Sequence, residues 1–374
     1  MYAWSQTEPN LRFLGNVMNP NLEWVARHSE PALEPALPIV DPHHHLWQRT
    51  GNDYLFHDLL ADTQTGHNIV ATVFVDCHSM YRKDGPAELR CIGETEFANG
   101  VAAMSASGLY GNLRACAGII SHVDLRRGAR AGAVFDAQIA AGNGRFKGIR
   151  YQTGWDADPG IRNSRTDPTP ELTRDKTWRE GFRELAKRDL VFDAWLYHPQ
   201  IGEIAELADA FPGTPIVLDH IGGPLGYAGY AGRHDEVRIA WKKSMAELAK
   251  RPNITVKVGG LGMAMGWFDF YRRPAPPNSR ELADAFRPWV ETTIERRQKY
   301  AGDAHVPPGL IRMSVGIEHV DDIWADLAHA LELDPKNPHL WYARGRIRRE
   351  RGLLREAQAD FTRAVNGIPP INTQ

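Results

Sequence analysis

The stretch IVDPHHHLW (residues 39–47) joins a short apolar run directly to three consecutive histidines. His43 and His45 stand two residues apart at the end of that run, and side chains two apart on a strand point to the same side. Two imidazoles can therefore meet at the carboxyl end of a buried strand, where α/β barrels carry their reactive groups. Imidazole is a common zinc ligand and a proton carrier near neutral pH.

Seven apolar, β-branched runs predict buried strands, with helical patterns between them. Because the runs are continuously apolar rather than alternating, they indicate strands covered on both faces, as in a parallel sheet. Helical spacing at 175–187, 201–210 and 236–250 completes strand–helix units. The predicted strands cover residues 37–41, 69–75, 115–120, 146–151, 190–197, 215–220 and 254–258.

These units predict an α/β fold, a TIM-type (β/α)8 barrel in which the eighth strand is uncertain. An open, doubly wound sheet is the alternative, but the GxGxxG fingerprint that follows a strand in such folds is absent from the sequence. We expect an N-terminal arm at 1–37 and the barrel at 38–300. A linker with a replacement strand is expected at 301–325, and an α-helical tail at 326–374.

The composition is that of an ordinary globular protein, with 43% hydrophobic and 24% charged residues among 374. A formal net charge of −2 argues against nucleic acid or an anionic membrane as the main partner. No apolar run reaches the ~18 residues of a membrane span, and no secretory signal is visible at the start. Cys77, Cys91 and Cys116 form no CxxC motif, so we expect reduced thiols and a cytoplasmic location.

Further candidate site residues stand where predicted strands end. A single strand-end histidine is more often structural, but four of them together indicate a metal site or an acid–base site. Arginine at such a position can hold a carboxylate or a lactone carbonyl, or it can form an ion pair at the barrel rim. The candidates are the histidines His43, His45, His198 and His220, the cations Arg150 and Lys257, and, after the second strand, His78, Ser79 and Tyr81.

Five segments resemble the amidohydrolase superfamily, and more narrowly its amidohydrolase-related branch of lactonases and 2-pyrone-4,6-dicarboxylate hydrolases. They are IVDPHHHLW, RFKGIRYQ (145–152), FDAWLYHPQ (192–200), IVLDHIGGP (216–224) and ITVKVGGLGM (254–263), in family order. The resemblance covers about residues 5–295. It implies one divalent ion, zinc or manganese, held by histidines at the positions of His43, His45, His198 and His220. It also implies that Arg150 contacts the substrate.

The sequence departs from that family at the eighth strand, where the family has an aspartate in a motif such as SNFPVD. Residues 308–322 instead resemble the C-terminal end of cystathionine-synthase-type pyridoxal-phosphate enzymes. The chain shows no matching cofactor domain and no Schiff-base lysine motif, so we expect no pyridoxal phosphate. If this segment fills the eighth position, Asp321 can replace the lost catalytic carboxylate, with Glu318 as a second candidate.

The tail, residues 326–370, resembles a single tetratricopeptide repeat with part of a preceding one. About three repeats are needed to bury a solenoid core, so the tail is either a partner-binding segment or a helical pair packed on the barrel.

The leading hypothesis is a hydrolase that opens a lactone or similar carbonyl C–O bond by water attack. The expected substrate is a small molecule, a lactone or a carboxylate-bearing ring. The alternatives are a catalytically impaired barrel that acts as a scaffold through its tail, and a decarboxylase of the same superfamily.

Overall fold

The computed structural model describes residues 13–14, 17–18, 21–49, 53–300, 312–313, 341, 344 and 354–366. At the N-terminal end, Phe13–Leu14 and Val17–Met18 pair as antiparallel strands, and Leu22–Val25 forms a single helical turn capped by the side chain of Asn21. No helix among the described residues is both long enough and apolar enough to cross a membrane.

The described part of the chain contains one eight-stranded sheet in which each strand pairs in parallel with the next in chain order. This order, with a helix after each of the first seven strands, is that of a TIM-type barrel. All seven predicted strands are confirmed within a few residues. The strands are β1 Pro38–His44, β2 Asn68–Val75, β3 Arg114–Ser121, β4 Phe146–Gln152, β5 Val191–Trp195, β6 Ile216–Leu218, β7 Ile254–Val258 and β8 Arg312–Met313.

The eighth position of the sheet is taken by the short strand β8. Arg312 and Met313 pair with Lys257 and Val258 of β7. This pair lies in the stretch where the sequence indicates a replacement strand after the barrel motifs stop.

Seven helices alternate with the strands: α1 Phe56–Thr63, α2 Ile92–Ala106, α3 Ala131–Gly142, α4 Lys176–Ala186, α5 Ile201–Ala210, α6 His234–Leu248 and α7 Ser279–Tyr300. The three helices predicted from apolar spacing are confirmed as α4, α5 and α6. In α4, Trp178, Phe182 and Leu185 fall on one face and are fully buried. The carboxylate of Asp175 caps this helix by accepting the Trp178 N–H at 2.7 Å.

Two apolar clusters form the barrel core. The larger one is built around Trp178, Phe182 and Phe192, and its members come from the elements between α2 and α7. The smaller one packs Phe56 and Phe74 between β1, β2 and their helices.

The C-terminal helix α8, Leu354–Asn366, belongs to a second compact unit. Within this unit, Arg344 donates two hydrogen bonds of 2.9 Å to the carboxylate of the buried Asp360. The guanidinium groups of Arg344 and Arg363 lie 4.4 and 4.5 Å from the ring centre of Trp341. The tetratricopeptide-like organisation of the tail stays a prediction.

Candidate active site

Strand β1 places His43 and His45 side by side and sends His44 the other way. The Nε2 atoms of His43 and His45 lie 3.2 Å apart, whereas His44 is hydrogen-bonded through Nε2 to the hydroxyl of Thr72 at 2.8 Å. This is the alternation that a strand imposes on successive side chains. The two histidines predicted to share a face therefore do so, and the middle histidine is part of the packing between β1 and β2.

The loop after β6 contributes Asp219 and His220 to the same place. The ring centres of His220 and His43 are 4.6 Å apart, and Asp219 Oδ1 lies 3.4 Å from His43 Nδ1. His220 and Ile221 both have a left-handed backbone, with φ of 49°. For the β-branched Ile221 this is a strained conformation of the kind that clusters at functional sites.

Gly260, in the loop after β7, provides the space that the His220 ring occupies. Its φ is +76°, and a Cβ at this position would lie 2.6 Å from the His220 Cγ and Nδ1 atoms. Only glycine combines this backbone conformation with the close approach. The GGLG segment therefore positions His220 as well as ending a strand.

Lys257 on β7 supplies a buried cation to this group. Its Nζ lies 3.1 Å from His43 Nδ1 and 3.0 Å from Asp219 Oδ1, and it also forms an ion pair with Asp193 on β5. Although burial opposes charge on Asp219, Lys257 holds the pKa of this carboxyl well below its usual range. Burial and the neighbouring Asp219 raise the pKa of Asp193 well above its usual range.

The Lys257 contact sets the direction of a chain of hydrogen bonds through the two histidines. An ammonium group only donates, so His43 Nδ1 accepts and its Nε2 carries the proton toward His45. At the other end, His45 Nδ1 lies 2.7 Å from the carbonyl oxygen of Val75, which only accepts. Both rings are neutral in this arrangement. Burial, with nearby Lys257 and Arg150 respectively, lowers the pKa of His43 and His45 well below the usual value.

Arg150, at the end of β4, joins the His43 cluster to strand β2. Its Nη1 lies 3.5 Å from His43 Nε2, and its Nε lies 3.6 Å from Asp76 Oδ2. It also donates to the carbonyl of Asp76. Burial would favour a neutral side chain, but Asp76, Asp219 and Asp193 raise the pKa of the guanidinium group. Arg150 is thus a fixed cation beside the histidines.

A second polar group surrounds Asp76 at the end of β2. Asp76 Oδ1 lies 3.3 Å from Nδ1 of His78, and the rings of His78 and His122 are 5.1 Å apart. Asp76 is fully buried, while 22% of the His78 side chain is exposed. Tyr81 stacks on His78 with ring centres 5.3 Å apart. The predicted candidate His78 therefore forms, with Asp76, a carboxylate–imidazole pair that reaches solvent.

The remaining predicted site residues lie in other surroundings. Ser79 is buried and donates its backbone N–H to Glu94 at 2.9 Å. His198 accepts the Leu225 N–H on Nδ1 at 3.3 Å, and its ring meets the edge of Tyr230. Among the described residues, His198 is not in the group of possible ligands around His43. Asp321 and Glu318 lie outside the described residues, so their roles stay predictions.

Several acidic residues of the site were not singled out from the sequence, namely Asp219, Asp193 and Asp76, and neither was His122. Each stands in or directly after a predicted strand, and Asp219 directly precedes His220. The strand-end rule that selected the histidines would have selected Asp76, Asp219 and His122 as well. Asp193 lies inside β5, and its inward side chain becomes visible only once Lys257 is placed beside it.

The donor set around His43 fits a divalent metal ion. Ligand atoms of His43, Asp219 and His220 all lie within 4.8 Å of one another. Neither carboxylate oxygen of the buried Asp219 has a hydrogen-bond partner among the described residues, although Lys257 forms an ion pair with it. Imidazole nitrogen and carboxylate oxygen are ligands of zinc and manganese. Lys257 already contacts His43 Nδ1 and Asp219 Oδ1, so a metal ion bound here would compete with it for these two atoms.

Known proteins resemble the chain in its barrel segment. The uncharacterized protein y4mH of Sinorhizobium fredii is 31% identical over 284 residues, which are 69% of this chain and 80% of that protein. A crystal structure of an amidohydrolase from Burkholderia multivorans, with bound zinc, aligns with a TM-score of 0.52 at 18% identity. This alignment covers 80% of this chain and 93% of the other.

A different similarity covers the region after the barrel motifs. A family model for Cys/Met metabolism PLP-dependent enzymes matches residues 285–332. A Streptomyces coelicolor protein, provisionally named as a cystathionine gamma-lyase, is 56% identical over 43 residues. Those residues are 12% of this chain and 11% of that protein, so this similarity is confined to a short segment.

The match in the barrel segment covers far more of the chain than the match to residues 285–332. The family model for Amidohydrolase matches residues 40–297, which contain the last five residues of β1, all of β2 to β7 and every described residue of the site around His43. Together with the chain-order parallel sheet and the strand-end histidines, this match establishes that the chain belongs to the amidohydrolase family.

Proposed function

We propose that this protein opens a lactone or a similar carbonyl C–O bond by attack of water at the cluster of His43, Asp219 and His220. The observation that carries this proposal is the meeting of neutral imidazoles, an ionised carboxylate and two buried cations at the carboxyl ends of β1, β4, β6 and β7. Acceptors for the protons of water thus stand beside cations that attract a carbonyl oxygen.

His43, Asp219 and His220 are the residues that would hold a divalent ion, with His45 as a further predicted ligand. Burial lowers the pKa of His220 to about 4, so this ring is neutral at neutral pH and its lone pair is free to bind a metal or a proton. A divalent ion bound here would polarise a water molecule and the substrate carbonyl.

Arg150 and Lys257 are proposed to stabilise the negative charge that develops on the carbonyl oxygen. Both are buried, and both are held in place by carboxylates, Arg150 by Asp76 and Lys257 by Asp193. Cations that are already oriented need no reorganisation when the tetrahedral oxyanion forms. Ser79 and Tyr81 stay predicted substrate contacts at the same rim.

His78 is proposed to protonate the leaving alkoxide oxygen. Its Nδ1 lies 3.3 Å from Oδ1 of the buried Asp76, which fixes the orientation of the ring. The partly exposed ring can receive a proton from solvent before the next turnover. Ring opening then leaves a hydroxyl group and a carboxylate, and one proton of the added water molecule is released to solvent.

The test is ring opening of a lactone panel by the full chain with added zinc or manganese, together with product analysis. We expect turnover by the wild type and loss of turnover in His43→Ala and His45→Ala. His67→Ala, directly before β2 at the opposite end of the sheet, is the matched control. A folded wild-type protein that opens no lactone contradicts the proposal and favours the scaffold alternative, whereas release of CO2 favours the decarboxylase alternative.

A further inference from the structure

A second set of metal-ligating side chains lies at the carboxyl ends of β2 and β3, apart from the cluster around His43. Ligand atoms of Asp76, His78 and His122 all lie within 4.8 Å of one another. Asp76 directly follows β2, and its N–H donates to the carbonyl oxygen of Ile120 on β3 at 2.7 Å. Because His122 directly follows β3, the pairing of the two strands brings the three side chains to one point.

The carboxylate and the buried imidazole of this set are in the states that bind a metal. Nδ1 of His122 lies 3.4 Å from the carbonyl oxygen of Arg150, which only accepts, so the lone pair of the ring is on Nε2. Burial lowers the pKa of His122, so the ring is neutral near neutral pH. Although burial opposes charge on Asp76, His78 and Arg150 hold the pKa of this carboxyl well below its usual range.

The Nδ1 atom of His78 is buried at the centre of this set. It forms no hydrogen bond with any described group, although Asp76 Oδ1 lies 3.3 Å away. Buried polar atoms are nearly always hydrogen-bonded, and an ion that the site takes up is one explanation of an exception. Since 22% of the His78 side chain is exposed, an ion can reach this atom from solvent.

Arg150 keeps this set separate from the cluster around His43. Its Nε lies 3.6 Å from Asp76 Oδ2, and its Nη1 lies 3.5 Å from His43 Nε2. The Oδ1 atom of Asp76, on the side of His78, is left for another cation. Because Arg150 already offsets the charge of Asp76, we expect zinc, which imidazoles bind well, rather than magnesium or calcium, which need several oxygen ligands.

We propose that Asp76, His78 and His122 form a second zinc site, separate from the His43 cluster, and that zinc bound there inhibits the enzyme. Two imidazoles and one carboxylate are a known zinc donor set, with a water molecule in the fourth position. An imidazole that binds zinc through one nitrogen cannot become the imidazolium form that donates a proton. The inhibition rests on the proposed function, in which His78 is the acid, but the binding does not.

The binding experiment counts the zinc ions on the full chain by competition with a chromophoric chelator. We expect His78→Phe and His122→Asn each to bind one zinc ion fewer than the wild type. His67→Phe, which removes a histidine directly before β2 at the opposite end of the sheet, is the control and should bind as many as the wild type. Equal counts for the wild type and both variants, or no zinc on the wild type, overturn the proposal.

The two substitutions preserve local contacts. His78→Phe keeps a ring to stack on Tyr81, and the asparagine amide in His122→Asn can donate to the Arg150 carbonyl as Nδ1 does. A cooperative melt establishes that each variant is folded. Because His78 is partly exposed, His78→Phe decides the result if His122→Asn does not fold.

His43→Ala separates this site from the metal site of the proposed function. It should keep the zinc ion that His78→Phe loses. If no metal binds at His43, the wild type holds a single zinc ion, which His78→Phe loses and His43→Ala keeps. A single ion that both variants lose overturns the second site.

The kinetic experiment tests the inhibition with a lactone that the wild type opens. Filling the site with zinc should lower kcat of the wild type about 100-fold, because a general acid contributes at least about this factor. In His122→Asn, the same addition of zinc should leave kcat at its earlier value. An equal fractional loss of kcat in both proteins overturns the inhibitory role.

Discussion

Nζ of Lys257 lies 3.1 Å from Nδ1 of His43, so a lysine on β7 donates a hydrogen bond to the first histidine of β1 across the barrel. This contact fixes the tautomer of His43, with the proton on Nε2. It therefore also fixes the direction of the hydrogen bond from His43 to His45. The same ammonium group contacts the buried side chains of Asp193 and Asp219. Lys257 therefore holds the site together and occupies a nitrogen that a metal ion would also use.

Replacing Lys257 by Met should destabilise the protein without metal and strengthen zinc binding. The buried, ionised carboxylate of Asp219 loses the cation that stabilises it, which costs about 3–5 kcal/mol of the free energy of unfolding. His43 Nδ1 and Asp219 become free for the metal, so zinc affinity should rise about 10-fold. Urea unfolding and competitive zinc titration measure the two effects. Lys250→Met, which breaks only a surface ion pair with Glu247, is the control and should cost less than about 1 kcal/mol.

A loss of stability in Lys257→Met equal to that of Lys250→Met would contradict this account of the buried charges. The double variant Lys257→Met with Asp219→Asn provides a second check. Because it removes the uncompensated carboxylate, it should be more stable than the single variant.

Gly260→Ala should impair the reaction through His220. The added Cβ would displace the His220 ring, and a displacement of about 1 Å in a catalytic group can cost about 100-fold in rate. Gly262→Ala is the matched control, since its Cβ would meet only the Phe286 ring at 4.0 Å. Steady-state kinetics and zinc affinity of both variants measure the effect. Equal kcat/KM for the two variants would show that Gly260 does not position His220.

His198→Leu should affect stability rather than metal binding. The variant removes the acceptor of the Leu225 N–H, which costs about 1–3 kcal/mol. Burial lowers the pKa of His198 to about 4 in the folded protein, against 6.5 ordinarily. The unfolded chain therefore gains a proton first as the pH falls from 6.5, and this weakens the wild type but not the variant. The difference in unfolding free energy should shrink toward pH 4. A 10-fold loss of zinc affinity would instead make His198 a ligand, as the family resemblance implies.

Two glycine-to-alanine substitutions in neighbouring helices should change the free energy of unfolding in opposite directions. In Gly181→Ala on α4, the Cβ would collide with the backbone carbonyl of Leu125, so we expect a loss of at least about 1–3 kcal/mol. In Gly202→Ala on α5, the Cβ would meet nothing within 4 Å, and alanine should stabilise the helix by up to about 1 kcal/mol. Thermal unfolding of both variants checks the packing of α4 against the loop after β3. Equal shifts in Tm would contradict it.

The sequence predicts the parts of the site that depend on strand periodicity. His43 and His45 share a side because they are two residues apart on β1, and His220 reaches them because parallel strands end at one edge of the sheet. His198 follows the same rule, yet the tight turn His198–Gln200 that starts there directs its ring to Leu225 and Tyr230. A local turn of this kind leaves no signal in hydrophobic periodicity.

The role of Lys257 could not be predicted from the sequence either, but the reason differs from that for His198. Its position in a strand is evident from the sequence, but its ion pairs join β7 to Asp193 on β5 and Asp219 after β6. Such contacts depend on how the sheet curls. The replacement of the family's eighth strand is likewise a matter of pairing, which the structure describes for Arg312 and Met313 alone.

The central claim is that Asp219 and the histidines beside it carry out hydrolysis, and the kcat of Asp219→Asn with a carboxylate-bearing lactone tests it most directly. Far-UV circular dichroism and a cooperative melt first establish that the variant is folded. We predict ring opening by the wild type and a kcat at least about 100-fold lower in Asp219→Asn. A folded Asp219→Asn protein with the kcat of the wild type would contradict the claim.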